Sequence, residues 1–364
     1  MVQTKTSPCD VLIIGAGIMG MLSAWELTEA GQRVVILDKG QAGLEASWAG
    51  GGIISPLYPW RYAPPITALS TWSQNAFPDL IARLRDLTGI DPELLSNGML
   101  VTATHEREDA LAWGAGLSRA VVEITDNEAR ALEPNVQLDE TPLWMPGVSS
   151  VRNPRMGQAL RQVCMHHPRI QLIEHHEVQV VGSLESPVVL SLGEQFVADR
   201  VVLTTGAWTG GLLSGLDLAC PIKPMKGQML LFSPCGLVSR VVLANGRYAI
   251  PRADGRIVFG STLEDVGFQR TPDRDAFESL YTSALTMIPA LQDVELEAQW
   301  AGFRPGSPPG LPWLGSLSAR LWVPSGPFRH GVVLRPASSR LLCDLMMDRT
   351  PIVDPAPYQP WNTL

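Results

Sequence analysis

The stretch Asp10–Asp38, DVLIIGAGIMGMLSAWELTEAGQRVVILD, decides the fold of this chain. Its first apolar run is short and unbroken, which is typical of a parallel strand buried on both faces. Apolar side chains then recur at helical spacing over Ile18–Trp25, and Gly31 stands where a helix C-terminal cap belongs. A second apolar run, Arg33–Leu37, follows. We therefore predict one βαβ unit over this stretch.

The turn between the predicted strand and helix is Gly15–Gly20, GAGIMG, which is a G-x-G-x-x-G motif. Its first glycine permits a tight turn, its second lets the backbone approach a pyrophosphate, and its third lets the helix pack closely on the strand. Asp38 ends the second strand, 23 residues after Gly15, where its carboxylate can accept a hydrogen bond from a ribose hydroxyl. The cofactor-binding positions predicted here are Gly15, Gly17, Ile18, Met19, Gly20, Asp38 and the adjoining Lys39.

This motif leaves open whether the dinucleotide is NAD or FAD, because proteins that bind either one use it. The segment 40–56, GQAGLEASWAGGGIISP, is rich in glycine and nearly free of charge. An extended FAD needs close backbone approach along its pyrophosphate and isoalloxazine, whereas a complete nicotinamide domain continues with regular βα units. The segment therefore favours FAD.

Composition excludes several other classes of function. The 364 residues carry a net charge of −8, with a sequence pI near 5.3, which argues against a nucleic-acid partner. The five cysteines form no C-x-x-C pair, so we expect no disulfide framework and no metal site. Apolar runs are too short for a membrane span or a signal core, and we expect a cytoplasmic protein without integral membrane association.

The remaining chain mixes strand-like and helical segments in an order that indicates two interleaved domains. Short β-rich runs dominate 223–303, which favours an antiparallel sheet, while strand-like runs near 177–181 and 201–204 suggest a return to the first domain. We predict an α/β fold in which a Rossmann-like FAD-binding domain is interleaved with an antiparallel-sheet substrate domain. The FAD-binding domain is assigned to 8–90, 150–220 and 310–350, and the substrate domain to 91–149 and 221–309.

Seven later motifs accompany the N-terminal fingerprint in a fixed order over nearly the whole chain. They are Ser47–Gly52 (SWAGGG), Thr205–Trp208 (TGAW), Lys226–Gln228 (KGQ), Tyr248–Arg252 (YAIPR), Gly260–Thr262 (GST), Gly302–Pro305 (GFRP) and Gly326–Arg329 (GPFR). The ordered set resembles the D-amino-acid oxidase superfamily of flavoproteins, and most closely its glycine oxidases of the thiamine-pathway type. The ordered set is far more specific than any one of its members.

This resemblance implies how the cofactor is held. Relatives with a covalently attached flavin carry a cysteine just beyond the GFRP motif, where this chain has Ser307–Gly310, so the resemblance implies non-covalent FAD. It also implies a homo-oligomer such as a tetramer. The further cofactor-binding positions it implies are Ser47, Gly50, Gly51, Gly52, Val178, Gly206, Trp208, Phe328, Arg329 and Gly331.

The resemblance also implies catalytic roles for Arg304, Tyr248 and Arg329. The planar fork of Arg304 can bind both oxygens of a substrate carboxylate, to which the Tyr248 hydroxyl can also donate. Arg329 would lie beside the flavin and the substrate amino group, and Leu263 would line a small apolar pocket. The alternatives are a surface salt bridge for Arg304, ordinary packing for Tyr248 and a plain ion pair for Arg329.

The C-terminal loop departs from this resemblance. Similar glycine oxidases usually have histidine, asparagine and alanine where this chain has Pro327, His330 and Arg335. The loop leads into the last helix, whose positive end should face the flavin pyrimidine. Arg335 therefore adds a cation near the flavin.

The leading hypothesis is an FAD-dependent oxidation of glycine and other small amines, including sarcosine and small D-amino acids. The products would be the 2-oxo acid, ammonia or an amine, and hydrogen peroxide, with oxygen as electron acceptor. In the family this reaction supplies a glycine imine for thiazole synthesis. Two alternatives stay open, namely a D-amino-acid oxidase or dehydrogenase of broader range and a catalytically idle FAD-binding scaffold.

Overall fold

The computed structural model describes residues 3–308 and 310–359. Its strands are β1 (Gln3–Ile14), β2 (Val34–Leu37), β3 (Met99–Ala103), β4 (Val122–Glu123), β5 (Leu143–Met145), β6 (Ile170–Ile173), β7 (Gln179–Ser183), β8 (Ser186–Ser191), β9 (Glu194–Leu203), β10 (Lys223–Phe232), β11 (Val241–Ala244), β12 (Arg247–Pro251), β13 (Ile257–Gly260), β14 (Leu296–Gly306) and β15 (Leu321–Trp322). Its α-helices are α1 (Ile18–Glu29), α2 (Ala46–Ala49), α3 (Pro64–Thr88), α4 (Arg107–Gly116), α5 (Asp126–Leu132), α6 (Asn153–His166), α7 (Thr209–Leu213), α8 (Arg274–Met287) and α9 (Arg335–Met346). In this part of the chain no helix has the length and apolar character to cross a membrane.

The first sheet contains the predicted βαβ unit. Its strand order is β6-β2-β1-β9-β8-β7, with β15 also paired to β9. Strands β1, β2, β6, β9 and β15 pair in parallel, whereas β7 and β8 form an antiparallel extension. Val11 and Ile13 pack into one core cluster, and Leu12 and Ile14 into another. Both faces of β1 are therefore buried, as its continuous apolar run predicted.

The second sheet has the order β14-β10-β13-β12-β11-β3-β5-β4. Its pairs are antiparallel except for β11 with β3, which are parallel. The parallel pair arises where β3, from an earlier segment of the chain, joins strands that come more than a hundred residues later. The predicted α/β class is confirmed, although the second sheet is not purely antiparallel. Its described strands all lie within 91–149 and 221–309, while the exact domain boundaries remain a prediction.

At β14 the second sheet contacts helix α2 and the turn that follows strand β9 of the first sheet. The indole nitrogen of Trp300 donates to the carbonyl oxygen of Ala49 at 3.0 Å, which fixes α2 against β14. Gly302 makes this contact possible, because any side chain at that position would meet the Ala49 methyl group. On the same strand the Phe303 ring lies edge-on to Trp208, with centroids 6.2 Å apart. The functional cavities lie along this seam.

Candidate active site

A cavity of about 530 Å³ opens where β1, β2 and β9 end, and we call it the cofactor cavity. Ile14, Leu37 and Thr204 line it at those strand ends. Ligands of open α/β sheets bind at the carboxyl ends of the parallel strands, so the position is the expected one. The predicted cofactor-binding residues that line it are Gly15, Gly17, Met19, Asp38, Lys39, Ser47, Val178, Gly206 and Trp208.

The glycine turn forms one wall of the cofactor cavity. Gly15 has φ = +104°, a conformation that favours glycine. Gly20 lines neither cavity, and a side chain there would overlap the carbonyl oxygen of Gly15, so it permits the close packing of α1. The α1 N-terminus has no acidic residue in its first turn, and the amide of Ile18 donates to the Ser47 hydroxyl at 3.0 Å. These amides and the helix dipole favour an anionic group at this wall.

Asp38 occupies the β2 end of the cofactor cavity. Its Oδ2 accepts from the amide of Ala16 at 2.6 Å, and its Oδ1 accepts from the amide of Gly40 at 2.8 Å. Burial raises the pKa of Asp38 above its ordinary value, while these two backbone donors oppose the rise. A carboxylate has about four acceptor sites, so Asp38 retains capacity for a ribose hydroxyl.

An aromatic cluster that the sequence did not predict borders the same cavity. The Phe268 ring stacks on Trp208 with centroids 5.0 Å apart and lies edge-on to Phe303 at 5.3 Å. The ammonium group of Lys39 lies 3.6 Å from the centroid of the Trp208 ring. Phe268 comes from an irregular loop of the other sheet, and no local pattern in its sequence reveals that it reaches Trp208.

A second cavity of about 110 Å³ adjoins the first, and we call it the substrate cavity. Ala46, Ser47, Pro305 and Arg335 line both cavities. The other predicted residues that line the substrate cavity are Ile18, Gly50, Gly51, Gly52, Tyr248, Arg304, Phe328, Arg329 and Gly331. The structure thus brings together residues from both halves of the chain.

Arg304 presents an uncompensated charge to the substrate cavity. Its guanidinium donates to the carbonyl oxygen of Thr262 at 3.1 Å and to the Ser261 hydroxyl at 2.7 Å, both neutral acceptors. No carboxylate within residues 3–308 and 310–359 pairs with it, so the structure does not show the surface salt bridge of the alternative interpretation. Gly227 on β10 leaves room for the guanidinium, because any side chain there would overlap it. The arrangement can bind a carboxylate.

The other predicted groups differ in their surroundings. Tyr248 is only 7% exposed, and its ring packs close to Gly51. Arg329 is exposed and has no acidic partner in the described part of the chain, although its guanidinium lies 5.6 Å from the Phe328 ring centroid. His330 is buried, and burial together with the charge of Arg329 lowers its pKa to about 4. His330 is therefore neutral near pH 7.

Leu263 does not lie where the sequence analysis placed it. It is 40% exposed and lines neither cavity. The amide of Thr262 donates to Gln228 at 3.2 Å and the amide of Glu264 donates to Lys226 at 2.9 Å, so this segment runs extended beside β10. Side chains alternate along extended backbone, and Thr262 points inward while Leu263 points outward. The Thr262 hydroxyl accepts from the amide of Gln228 on β10 and its carbonyl oxygen accepts from Arg304, and Thr262 also lines neither cavity.

These residues fit FAD. The glycine turn and the α1 N-terminus suit a diphosphate, and Asp38 suits a ribose. The substrate cavity adjoins the cofactor cavity along the lining residues that they share, as a flavin that meets its substrate requires. Further lining residues, not anticipated from the sequence, include Thr205, His176, Glu177, Val180, Ile53 and Ser55.

Comparisons with known sequences agree with this reading of the site. The family model described as FAD dependent oxidoreductase matches residues 10–345. The chain is 46% identical to the glycine oxidase of Pseudomonas aeruginosa, over 97% of this chain and 99% of that protein. It is also 31% identical to the bifunctional protein ThiO/ThiG of Synechocystis, over 93% of this chain and 52% of that protein.

A comparison with solved structures gives the same result. The crystal structure of glycine oxidase from Geobacillus kaustophilus matches with a TM-score of 0.90 at 29% identity, covering 98% of this chain and 99% of that one. The family match spans both the dinucleotide fingerprint and the arginine of the substrate cavity. The chain therefore belongs to the family of FAD-dependent oxidoreductases that includes the glycine oxidases.

Proposed function

We propose that this protein oxidises glycine and other small primary or secondary amines, with FAD as cofactor and oxygen as electron acceptor. The products are the 2-oxo acid, ammonia or an amine, and hydrogen peroxide. The observation that carries the proposal is the guanidinium of Arg304, which faces a small cavity beside the cofactor cavity without a carboxylate partner. Relatives named glycine oxidase support the choice of substrate.

Arg304 and Tyr248 bind and orient the substrate. The guanidinium fork of Arg304 takes the carboxylate, and its bonds to Ser261 and Thr262 hold the fork in place. Tyr248 donates its hydroxyl to the same carboxylate, while its buried ring excludes water from one side of the cavity. With the carboxylate held, the short substrate places its α-carbon toward the cofactor cavity.

The charges around the substrate cavity favour the reactive form of the amine. Its described lining includes Arg304, Arg329 and Arg335 and no carboxylate side chain. Nearby positive charge disfavours an ammonium ion, so the substrate binds as the free amine and its proton is released to solvent. The free lone pair then assists departure of the α-hydrogen with its electron pair. When bound, FAD supplies the acceptor for those two electrons and passes them to oxygen.

The residues proposed to bind FAD hold it in place and take no part in the chemistry. We assign Gly15 and Gly17 to the diphosphate, Asp38 to the ribose, and Gly50–Gly52 to close backbone approach along the flavin. Ser307 begins the segment 307–310, which carries no cysteine for a covalent attachment, and its hydroxyl donates to the carbonyl oxygen of Gly326 at 2.6 Å. Pro309 of the same segment lies outside the described residues. Acid precipitation should leave FAD in the supernatant, and flavin that stays in the pellet would refute non-covalent binding.

The biological setting is also a proposal. Because a relative that this chain matches is named ThiO/ThiG, we infer that the glycine imine serves thiazole synthesis for thiamine. We further propose a cytoplasmic homo-oligomer such as a tetramer, by analogy with the family. Size-exclusion chromatography coupled to light scattering tests the oligomer, and a monomer at micromolar concentration would reject it.

The substrate range is tested by measuring peroxide with glycine, sarcosine, D-alanine and D-phenylalanine at matched concentrations. Each added carbon must fit beside a carboxylate fixed by Arg304, and a misplacement of about 1 Å costs roughly a hundredfold in rate. We therefore expect glycine and sarcosine to react fastest, with oxygen consumed and peroxide released in equal amounts. Faster oxidation of D-phenylalanine, or transfer of electrons to a dye but not to oxygen, would favour the broader oxidase or dehydrogenase.

A further inference from the structure

Arg335 is a cation without a partner at the junction of the two cavities. It is the first residue of α9 and one of the residues that line both the cofactor cavity and the substrate cavity. Its guanidinium makes no hydrogen bond or ion pair with any residue in 3–308 or 310–359. The exposed part of this half-buried side chain faces the cavities, since it lines both of them. Its charge is therefore directed at whatever fills them.

The acidic groups nearby do not balance this charge. Asp38, Glu45 and Glu177 line the cofactor cavity, but within the described residues none of them forms an ion pair or hydrogen bond with Arg335: Asp38 is held by backbone amides and Glu45 pairs with Arg270 at 2.7 Å. The substrate cavity adds only further cations, and the N-terminus of α9 adds a positive partial charge.

An unpaired charge on a half-buried side chain is partly desolvated, which destabilises the folded chain unless a ligand compensates it. Burial lowers the pKa of Arg335 to about 10, which still leaves it charged near pH 7. The protein thus retains a costly cation where the cofactor and substrate meet, and an anion is expected there.

We propose that Arg335 is the counter-charge for the negative charge that the flavin gains when the substrate reduces it, and that Arg335 thereby raises the reduction potential of the bound FAD. This inference rests on the proposed function. The neutral amine loses two electrons and one proton when its Cα–H bond breaks and becomes an iminium ion. The flavin gains the same two electrons and proton and so carries one additional negative charge. That charge would be delocalised over the flavin pyrimidine, which the positive end of α9 is expected to face, and Arg335 is the first residue of that helix.

The diphosphate of FAD is the other anion that could pair with Arg335. The experiment distinguishes a role at the reduced flavin from a role at the diphosphate. Holoenzymes carrying Arg335→Met and Arg335→Lys are compared with the parent and with Arg349→Met, which removes an exposed arginine beyond the other end of α9. Three quantities are measured: the dissociation constant of sulfite, the two-electron midpoint potential, and the dissociation constant of FAD from the apoprotein. Sulfite is the probe because it forms an anionic adduct with the flavin.

We expect Arg335→Met to raise the sulfite dissociation constant about tenfold or more. The midpoint potential should fall by about 30 mV for each tenfold rise in that constant. Arg335→Lys should recover most of both effects, because it retains the charge. The FAD dissociation constant should change less than about threefold, and Arg349→Met should leave all three quantities at parental values.

Two results would overturn the assignment. FAD binding weakened well beyond threefold in Arg335→Met, with the potential of the bound flavin unchanged, would assign the charge to the diphosphate. Unchanged sulfite affinity and potential in Arg335→Met would mean that Arg335 contributes only packing. None of the three quantities requires an amine substrate, so a protein that fails to oxidise glycine can still show the predicted shift, and the two proposals fail separately.

Discussion

The cofactor cavity and the substrate cavity share a wall but are built from different parts of the polypeptide. In the cofactor cavity the proposed diphosphate contacts are backbone groups of one short segment, the glycine turn, although residues within 37–47, 176–181 and 204–215 also line it. The substrate cavity presents side chains from segments that lie far apart in sequence, such as Tyr248, Arg304 and Arg329. The first cavity therefore depends on backbone approach, whereas the second depends on the identity and charge of individual side chains.

This difference predicts two kinds of mutational effect. Changes at the glycine turn should act on FAD binding and stability and should affect all substrates alike. Changes at the side chains proposed to bind the substrate, Arg304 and Tyr248, should leave bound FAD in place and alter catalysis. The following predictions test that separation, from the largest expected effect to the smallest.

Replacing Arg304 should have the largest effect. Arg304→Ala removes the only group proposed to balance the substrate carboxylate, so catalytic efficiency with glycine should fall by an amount on the order of 2–5 kcal/mol. Arg304→Lys should recover part of the loss, because it restores charge without the fork. Steady-state kinetics on FAD-saturated enzyme measure the change, and an efficiency within about threefold of the parent would reject the assignment.

Gly20→Ala tests the backbone side of the comparison. The new methyl group would overlap the carbonyl oxygen of Gly15, and relief of such overpacking costs about 1–3 kcal/mol. We expect weaker FAD binding and a lower thermal midpoint, both measurable on purified protein. Gly116→Ala, in a helix position with open space around it, is the matched control and should change neither quantity. Normal FAD affinity in Gly20→Ala would show that the turn tolerates a side chain.

His330, in the wall of the substrate cavity, should make the stability of the folded protein sensitive to acid. Its pKa is lowered from 6.5 to about 4 in the folded state, so the unfolded chain binds more protons between those values and stability falls as pH drops below 6.5. From pH 7 to pH 5 the loss is roughly 2 kcal/mol. Denaturant unfolding of His330→Asn at both pH values should show a smaller acid loss than the parent. Equal losses would mean that His330 is not held neutral.

Tyr248→Phe should have the smallest effect in this series. It removes one hydrogen bond to the substrate carboxylate while retaining the ring, and such a bond contributes about 0.5–1.5 kcal/mol. The KM for glycine should rise more than kcat falls, because carboxylate binding is shared by the ground state and the transition state. A variant that loses FAD, or whose kcat falls while KM is constant, would place Tyr248 in a different role.

The same contrast explains what could be predicted from the sequence. The βαβ unit and the cofactor end of the site depend on local patterns, so Gly15, Gly17 and Asp38 could be placed by periodicity and spacing. Arg304 and Tyr248 could be placed only by resemblance to a family, because no local rule connects strands so far apart in the chain.

The resemblance misplaced one residue, and features without a sequence signal were not predicted. Leu263 was expected in the cavity, but the register of its segment leaves Leu263 exposed and buries Thr262 against β10. Phe268 was not anticipated, since its contact with Trp208 depends on the path of an irregular loop. The parallel pairing of β11 with β3 likewise depends on how the two domains are interleaved. Each of these features is set by tertiary structure and leaves no periodic trace in the sequence.

The central claim is that glycine, held by Arg304 in the substrate cavity, reduces FAD in the adjoining cavity. Anaerobic addition of glycine to the purified protein, followed by the visible absorption of the flavin, tests it most directly. The account predicts that the parent is bleached by one equivalent of glycine, that Arg304→Ala is bleached far more slowly at the same FAD content, and that oxygen restores the colour. Flavin that stays oxidised in the parent at saturating glycine would contradict the claim and favour the idle FAD-binding scaffold.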